Sequence, residues 1–251
     1  MKKSNNKAAA EAITVNRRRL LNNDAPFAMK EAYVKLRTSL MFCMTADKAR
    51  PCKTFAVTSA KPSEGKSLTA ANIAISYAML GKRVLLVDAD MRKPTQRRLW
   101  KVELSTGLCD YLAKIWQLEL AKVTELPLWI VCTGTIPPNP TELLSAPMTE
   151  KIFASLQKAF DYVIVDTPPV SLVTDAAVLC GIADGVLLVV RPGVTTIQSA
   201  QLSKKNLEAV NAHILGVVIN GYNGKQSGRR DGYSYAYSYS YYDEDKKGND
   251  A

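Results

Sequence analysis

Apolar residues fall in short unbroken runs along most of this chain: Thr54–Thr58, Val84–Val87, Trp129–Val131, Tyr162–Val165, Gly185–Val190 and Leu215–Ile219. The runs are continuous rather than alternating, which predicts strands covered on both faces of a parallel sheet. Helical spacing lies between most of them, at Ser67–Leu80, Met148–Phe160, Thr174–Ile182 and Thr196–Ala209. Ahead of the first run, residues 27–44 place Phe27, Tyr33, Leu36, Leu40 and Phe42 at helical intervals. Strand and helix in repetition predict an α/β fold with right-handed crossovers. Residues 91–128 are less regular and should hold one or two short helices around Cys109–Trp116. The pattern lapses at both ends. Residues 1–26 read as a disordered basic arm. Residues 221–251 contain no Leu, Ile or Val and read as a flexible tail. The domain proper is expected over 27–220.

One junction carries chemistry. After the first apolar run comes Ala60-Lys61-Pro62-Ser63-Glu64-Gly65-Lys66-Ser67, and a helix is predicted from Leu68. This is G-x-x-x-x-G-K-[ST] with Ala60 in place of the first glycine, set between a strand and a helix as that motif requires. Such a loop turns backbone N–H groups inward to cradle phosphate oxygens, and the helix N-terminus adds its positive end. The reading assigns Lys61, Pro62, Ser63, Glu64, Gly65, Lys66, Ser67 and Leu68 to nucleotide binding. Lys66 should reach the β- and γ-phosphates, and the Ser67 hydroxyl should ligate Mg²⁺.

Two further runs end in acid: Val84-Leu85-Leu86-Val87-Asp88-Ala89-Asp90-Met91-Arg92 and Tyr162-Val163-Ile164-Val165-Asp166. Ligands of open parallel sheets bind beyond the carboxyl ends of the strands. Asp88, Asp90 and Asp166 should therefore converge on Lys66, and carboxylates there suit a hard cation that keeps its waters and bridges phosphates.

The tail is unusual. Seven of the eleven tyrosines follow Gly221, six of them in Tyr233-Ser234-Tyr235-Ala236-Tyr237-Ser238-Tyr239-Ser240-Tyr241-Tyr242, before Asp243-Glu244-Asp245. A plain low-complexity tail is one reading. A set of phosphate acceptors, Tyr233, Tyr235, Tyr237, Tyr239, Tyr241 and Tyr242, is the other, and an ATP site upstream favours it.

Composition narrows the rest. A chain of 251 residues with 47% apolar content fits one α/β domain with short extensions. The net charge of +10 is partly concentrated in the first thirty residues, including Arg17-Arg18-Arg19. A solvated arm, or attraction to an anionic membrane surface, is expected there rather than nucleic-acid binding. No apolar stretch nears the ~20 residues that span a bilayer, and no apolar run follows the N-terminal lysines as in a signal peptide. The five cysteines are scattered and form no C-x-x-C pair, so neither a disulfide framework nor a zinc site is indicated. The lone histidine, His213, opens an apolar strand and reads as structural.

With these motifs the chain resembles the bacterial tyrosine kinases of the capsule and exopolysaccharide type, cytoplasmic autokinases built on a P-loop ATPase fold. The likeness spans most of residues 27–242. It rests on the loop at Ala60–Ser67, the D-x-D-x-R at Asp88–Arg92, the run ending at Asp166 and the tyrosine cluster. Supporting matches are Thr106-Gly107-Leu108-Cys109-Asp110-Tyr111-Leu112 and Asn139-Pro140-Thr141-Glu142-Leu143-Leu144. The resemblance implies ATP and Mg²⁺ as cofactors. It assigns catalysis to Lys66 and to Asp88 as base, and the metal shell to Ser67, Asp90 and Asp166. It implies autophosphorylation of the tail in trans, a homo-oligomer that could be a ring, exogenous tyrosine substrates, and a membrane-embedded activator whose cytoplasmic tail recruits the kinase to the inner face of the plasma membrane. Glu31 and Arg37 match the family's E-x-x-R-x-x-R assembly motif, but Val34 stands at its middle position, and a solvated helical face explains the pair equally well. The same Walker architecture occurs in ATPases resembling ParA and MinD. Lys61 falls at their extra signature lysine, and Asn220 at their adenine-reading position. A non-kinase ATP switch with an inert tail is therefore the competing reading.

Overall fold

The computed structural model describes residues 19–45, 53–123 and 125–222. The chain begins with α1 (Phe27–Thr45), β1 (Thr54–Ser59), α2 (Lys66–Ala78) and β2 (Val84–Asp88). The central stretch holds α3 (Gln96–Trp100), α4 (Leu108–Leu112), β3 (Ala121–Lys122), β4 (Leu128–Val131), α5 (Pro140–Leu144) and α6 (Pro147–Ala159). It closes with β5 (Tyr162–Asp166), α7 (Thr174–Ile182), β6 (Gly185–Val190), α8 (Ile197–Ala209) and β7 (Ile214–Ile219).

The strands form one seven-stranded sheet in the order β3-β4-β2-β5-β1-β6-β7. All pairs are parallel except the short edge pair β3–β4. The unbroken apolar runs have a simple cause: neighbouring residues of each strand serve two different cores. Val84, Leu86, Leu128, Ile130 and Ile164 face the core shared with Leu40 and Met44 of α1 and Ile73 and Tyr77 of α2. Leu85, Val87, Val131, Val163 and Val165 face the opposite core, with Leu144, Ile152, Phe153 and Leu179. Helix α2 is sunk between the sheet and α1, with nearly every residue buried. A third, smaller cluster joins Ala56 and Val186 to Ala176, Cys180 and Leu207 under α7 and α8.

The predicted strands and long helices are present to within two residues. Four short elements were not anticipated: α3, β3, α5 and the turn of chain at 19–25. That last segment corrects the arm boundary. Leu20, Leu21 and Ala25 are buried, and Leu21 N donates to Asn72 Oδ1 at 2.9 Å. Two consecutive leucines find apolar cover on α2, so this part packs on the body. Residues 1–18 lie outside the described residues, as do the tail from residue 223 and all six terminal tyrosines. The body ends at Asn220, and residues from Gly221 form a separate unit. Among the described residues no helix is long and apolar enough to cross a membrane. Cys109, Cys132 and Cys180 are buried, and burial pushes their thiols up to about 12, 11 and 12, which makes them inert structural groups.

Candidate active site

The register of the sheet sets the site. Asp88 lies directly opposite Asp166, and Asp166 opposite Val57 near the end of β1, so three strands deliver their carboxyl ends to one rim. The loop leaving β1 rises from this rim. Ser63 and Gly65 take left-handed backbone, φ 65° and 91°, turning the chain back on itself before α2. Successive N–H groups in such a turn form an anion-binding hollow at the helix start. Gly65 is required on a second count: a Cβ there would run into Asn220 Nδ2.

Lys66 lies inside the hollow. Its ammonium donates to Asp90 Oδ2 at 2.7 Å, to Asp166 Oδ1 at 3.3 Å and to Ser67 Oγ at 3.2 Å. Burial alone would pull this lysine down, but Asp166 and Asp90 outweigh it and hold it above its ordinary value. The three carboxylates are not equivalent. Asp166 spends its second oxygen on Gln96 Nε2 at 2.8 Å, and Asp90 spends its own on Lys93 N at 2.9 Å. Asp88 uses Oδ2 for two backbone donors, Thr95 N and Gln96 N, at 2.9 and 2.8 Å. Its Oδ1 is buried with no hydrogen-bond partner. Burial, followed by the charge of Asp166, pushes Asp88 up to about 7. An unpaired buried carboxylate oxygen is costly, and such a cost is commonly retained where the group works.

These observations place Lys66, Ser67, Asp88, Asp90 and Asp166 together, as expected from sequence. Pro62, Ser63, Gly65 and Leu68 line the same cleft of about 920 Å³. Three expected residues stand differently. Glu64 is fully buried and braces the loop from behind, accepting from Lys61 N at 2.8 Å and from the Thr195 hydroxyl, so its side chain is structural. The Lys61 ammonium donates to Val194 O at 3.2 Å on its own chain. Asn220 lines the cleft but donates through Nδ2 to Glu64 O at 2.7 Å, tying the end of β7 to the loop. Arg37 is not on a solvated face. Its guanidinium donates to Ser76 O at 2.7 Å and pins α1 to α2, while Glu31 is partly exposed one and a half turns earlier.

Sequence reasoning missed four contributors. Gln96 donates to Asp166 and to Ser67 O, and receives Trp100 Nε1 at 3.0 Å. Thr133 Oγ1 donates to Asp88 O at 2.8 Å. Asp110 accepts from Gly107 N and Thr135 N, at 2.9 and 3.1 Å, and clamps the loop after β4. Asp175 at the start of α7 takes Arg92 in two bonds, 2.7 and 3.0 Å, and the Thr141 hydroxyl as well. The quoted motifs contained Asp110, Thr141 and Arg92, so a signal existed for these. Nothing in the pattern marked Gln96.

The donor set fits Mg²⁺. It offers hard oxygens, a hydroxyl at the helix start and one carboxylate oxygen without a partner. Among the described residues no three His, Cys, Asp or Glu side chains form a closed metal cage, and Mg²⁺ held largely by phosphate and water needs none.

The chain is similar to known proteins in sequence and in fold. An AAA domain family model matches residues 52–215. The chain is 41% identical over 193 residues to the tyrosine-protein kinase YwqD of Bacillus subtilis, covering 76% of this chain and 80% of that one. The kinase domain of Escherichia coli tyrosine kinase ETK superposes with a TM-score of 0.75 at 32% identity, covering 80% of this chain and 78% of that domain. The septum site-determining protein MinD of Pyrococcus horikoshii, solved with Mg-ADP, shares the fold at a TM-score of 0.59 and 21% identity over 72% of each chain.

Proposed function

The chain belongs to the bacterial tyrosine-protein kinases, and from that premise we propose how its cleft works. The protein is an ATP-dependent protein-tyrosine kinase. On our reading it phosphorylates the tyrosine cluster at 233–242 on a neighbouring copy and thereby regulates capsular or exopolysaccharide synthesis and export. The observation that carries the reading is Lys66 held between Asp90 and Asp166, with the partnerless Asp88 Oδ1 buried beside them.

Phosphoryl transfer needs positioning and charge neutralisation more than covalent chemistry. Backbone N–H groups of residues 63–67 hold the phosphates of ATP. Lys66 leaves its two carboxylates for the β- and γ-phosphates, an exchange of one anionic set for another that keeps the ammonium paired. Ser67, with Asp90 and Asp166, would hold Mg²⁺, which would supply neutralisation of the phosphate charge. Asp88 takes the proton of the acceptor tyrosine. It has no exposed surface, so the hydroxyl reaches it through one bridging water. Gln96 keeps Asp166 oriented throughout. Oligomerisation through α1, with Glu31 and Arg37, and activation by the cytoplasmic tail of a membrane protein complete the reading.

The competing switch reading, in which ATP hydrolysis only toggles dimerisation, has the fold in its favour but not the family. Lys61 turned onto Val194 gives it no support. Intact-mass analysis of the purified chain in Mg-ATP tests the proposal. Phosphate-sized increments should accumulate in the wild type and not in Lys66→Met. ADP release without phosphotyrosine would refute it.

A further inference from the structure

The cleft is lined by seven cationic side chains and a single acidic one, Asp90. Two of the cations are already matched: Lys66 by Asp90 and Asp166, and Arg92 by Asp175. The other five, Arg19, Lys93, Arg97, Arg98 and Arg191, have no carboxylate within ion-pair distance among the described residues. They divide by position. Arg191 donates to Ser63 O at 3.4 Å and so belongs to the phosphate loop. Lys93, Arg97 and Arg98 stand together on the other wall, on the turn after Asp90 and the first turn of α3. That turn is fixed by the base itself, since Thr95 N and Gln96 N both bind Asp88. All three side chains are exposed. Arg98 makes only a long contact to Pro94 O, at 3.4 Å.

Three like charges on one short segment repel each other, and none of them has an ion pair among the described residues. They lie on the segment anchored to Asp88 through Thr95 N and Gln96 N, so an acceptor tyrosine directed at Asp88 would pass them. A lipid surface would be met by cations on an open face, whereas these line a cleft. The sequence supplies an anion of the right kind: Tyr241 and Tyr242 are followed at once by Asp243-Glu244-Asp245.

We propose that Lys93, Arg97 and Arg98 form an acceptor subsite that selects tyrosines followed by acidic residues, and that the Tyr241–Asp245 segment of a second copy is its first substrate. The inference rests on the kinase reading and adds its specificity. Electrostatic complementarity of this sort acts mainly on encounter and register, so it should appear in the acceptor KM and weaken with salt. It also makes Tyr241 and Tyr242 the preferred first sites, with the tyrosines farther upstream modified later.

The test is a charge swap between two full-length chains. The enzyme carries its six terminal tyrosines as Phe. The acceptor carries Lys66→Met and an intact tail. Arg97→Glu with Arg98→Glu in the enzyme should slow labelling about tenfold at subsaturating acceptor. Asp243→Lys, Glu244→Lys and Asp245→Lys in the acceptor should do the same with the unaltered enzyme. Combining the two reversed partners should recover most of the rate. Failure of the reversed pair to recover, or equal labelling of both acceptors by the unaltered enzyme, overturns the proposal. So does a parallel loss of fluorescent-nucleotide binding in the Arg97→Glu, Arg98→Glu enzyme, which would make these arginines phosphate holders. The acceptor arm needs no change in the enzyme, so a misfolded variant cannot mask the result. If the unaltered enzyme labels no acceptor at all, the kinase reading of the cleft has failed. The subsite is then judged by anisotropy of a labelled Tyr-Tyr-Asp-Glu-Asp peptide. That peptide should bind the unaltered chain and bind the Arg97→Glu, Arg98→Glu chain at least about tenfold more weakly, and equal binding overturns the subsite.

Discussion

The two walls of the cleft are built by different means. The wall from β1 to α2 is made of backbone: a loop with φ 65° at Ser63 and 91° at Gly65, closed from behind by Glu64 and from the side by Asn220. The wall from Asp88 through α3 to the loop after β4 is made of side chains. Asp88 holds Thr95 and Gln96, Gln96 holds Asp166, Thr133 holds Asp88, and Asp110 holds Thr135. A backbone wall recognises what every nucleoside triphosphate has in common. A side-chain wall can differ from one relative to the next, and here it carries Asp88 and the cations that have no ion pair among the described residues. This explains how MinD can share the fold without its likeness saying anything about the tyrosine acceptor.

The largest expected effect comes from removing Lys66, which joins the phosphate loop to the acids of the opposite wall. Lys66→Met should lower phosphotransfer by at least about a hundredfold, since a positioned cation facing transferring phosphate is lost. Circular dichroism should show the fold retained. Phosphotyrosine formation at the wild-type rate would show that the two walls do not meet in catalysis at Lys66.

The walls can next be separated with one methyl group each. Gly65→Ala pushes a Cβ into Asn220 Nδ2 at the phosphate hollow. Gly134→Ala puts one against Asp110 Oδ2 and the Gly107 backbone, at a residue with φ 81°. Strain at positive φ together with overpacking should cost each about 2–3 kcal/mol. The functional outcomes should diverge: Gly65→Ala loses nucleotide affinity outright, whereas Gly134→Ala lowers the Tm while nucleotide still binds. Equal loss of fluorescent-nucleotide binding in both would dissolve the distinction between the walls.

Gln96→Ala sharpens it from within the second wall. It strips Asp166 Oδ2 and Ser67 O of a donor and Trp100 Nε1 of its acceptor. Leaving such groups buried and unpaired should cost about 2 kcal/mol in urea melts. Transfer should slow more than nucleotide binding weakens. If binding falls and the rate constant at saturation does not, Gln96 serves the phosphate side after all.

The contrast between the walls also explains what could be read in the sequence. The sheet was legible because both its faces are buried, which leaves unbroken runs such as Leu85-Leu86-Val87 with no polar interruption. The phosphate loop was legible because its spacing is imposed by backbone geometry. The acids at 88, 90 and 166 were legible because parallel strands deliver their carboxyl ends to one rim. Gln96, Thr133 and Asp175 were not, since each acts through a partner far along the chain: Asp166, Asp88 and Arg92. Short helices such as α3 and α5 have too few turns for periodicity to register. Leu20 and Leu21 went unread for a related reason: a basic neighbourhood outweighed two leucines until their cover on α2 was visible. Glu64 shows a different division of labour: its place in the motif was legible, but not that its side chain supports the loop from the rear.

The smallest effect lies at the outer edge of the second wall, where Arg92 meets Asp175. Burial pushes the Asp175 carboxyl up, but the two bonds from Arg92 and the one from Thr141 more than offset this and hold it below its ordinary value of 3.8. A depressed carboxylate binds fewer protons folded than unfolded, so its contribution to stability is complete above the ordinary carboxylate range. It is lost as pH falls through the folded value. Arg92 is half exposed, which limits the pair to about 1 kcal/mol. Asp175→Asn should therefore lower the Tm by a few degrees near neutral pH. The gap between variant and wild type should close as the solution is brought to about pH 4 and below. A gap that stays constant over that range would mean that Asp175 acts by shape alone, as an acceptor for Thr141. The ion pair would then have no part in holding the second wall against α7.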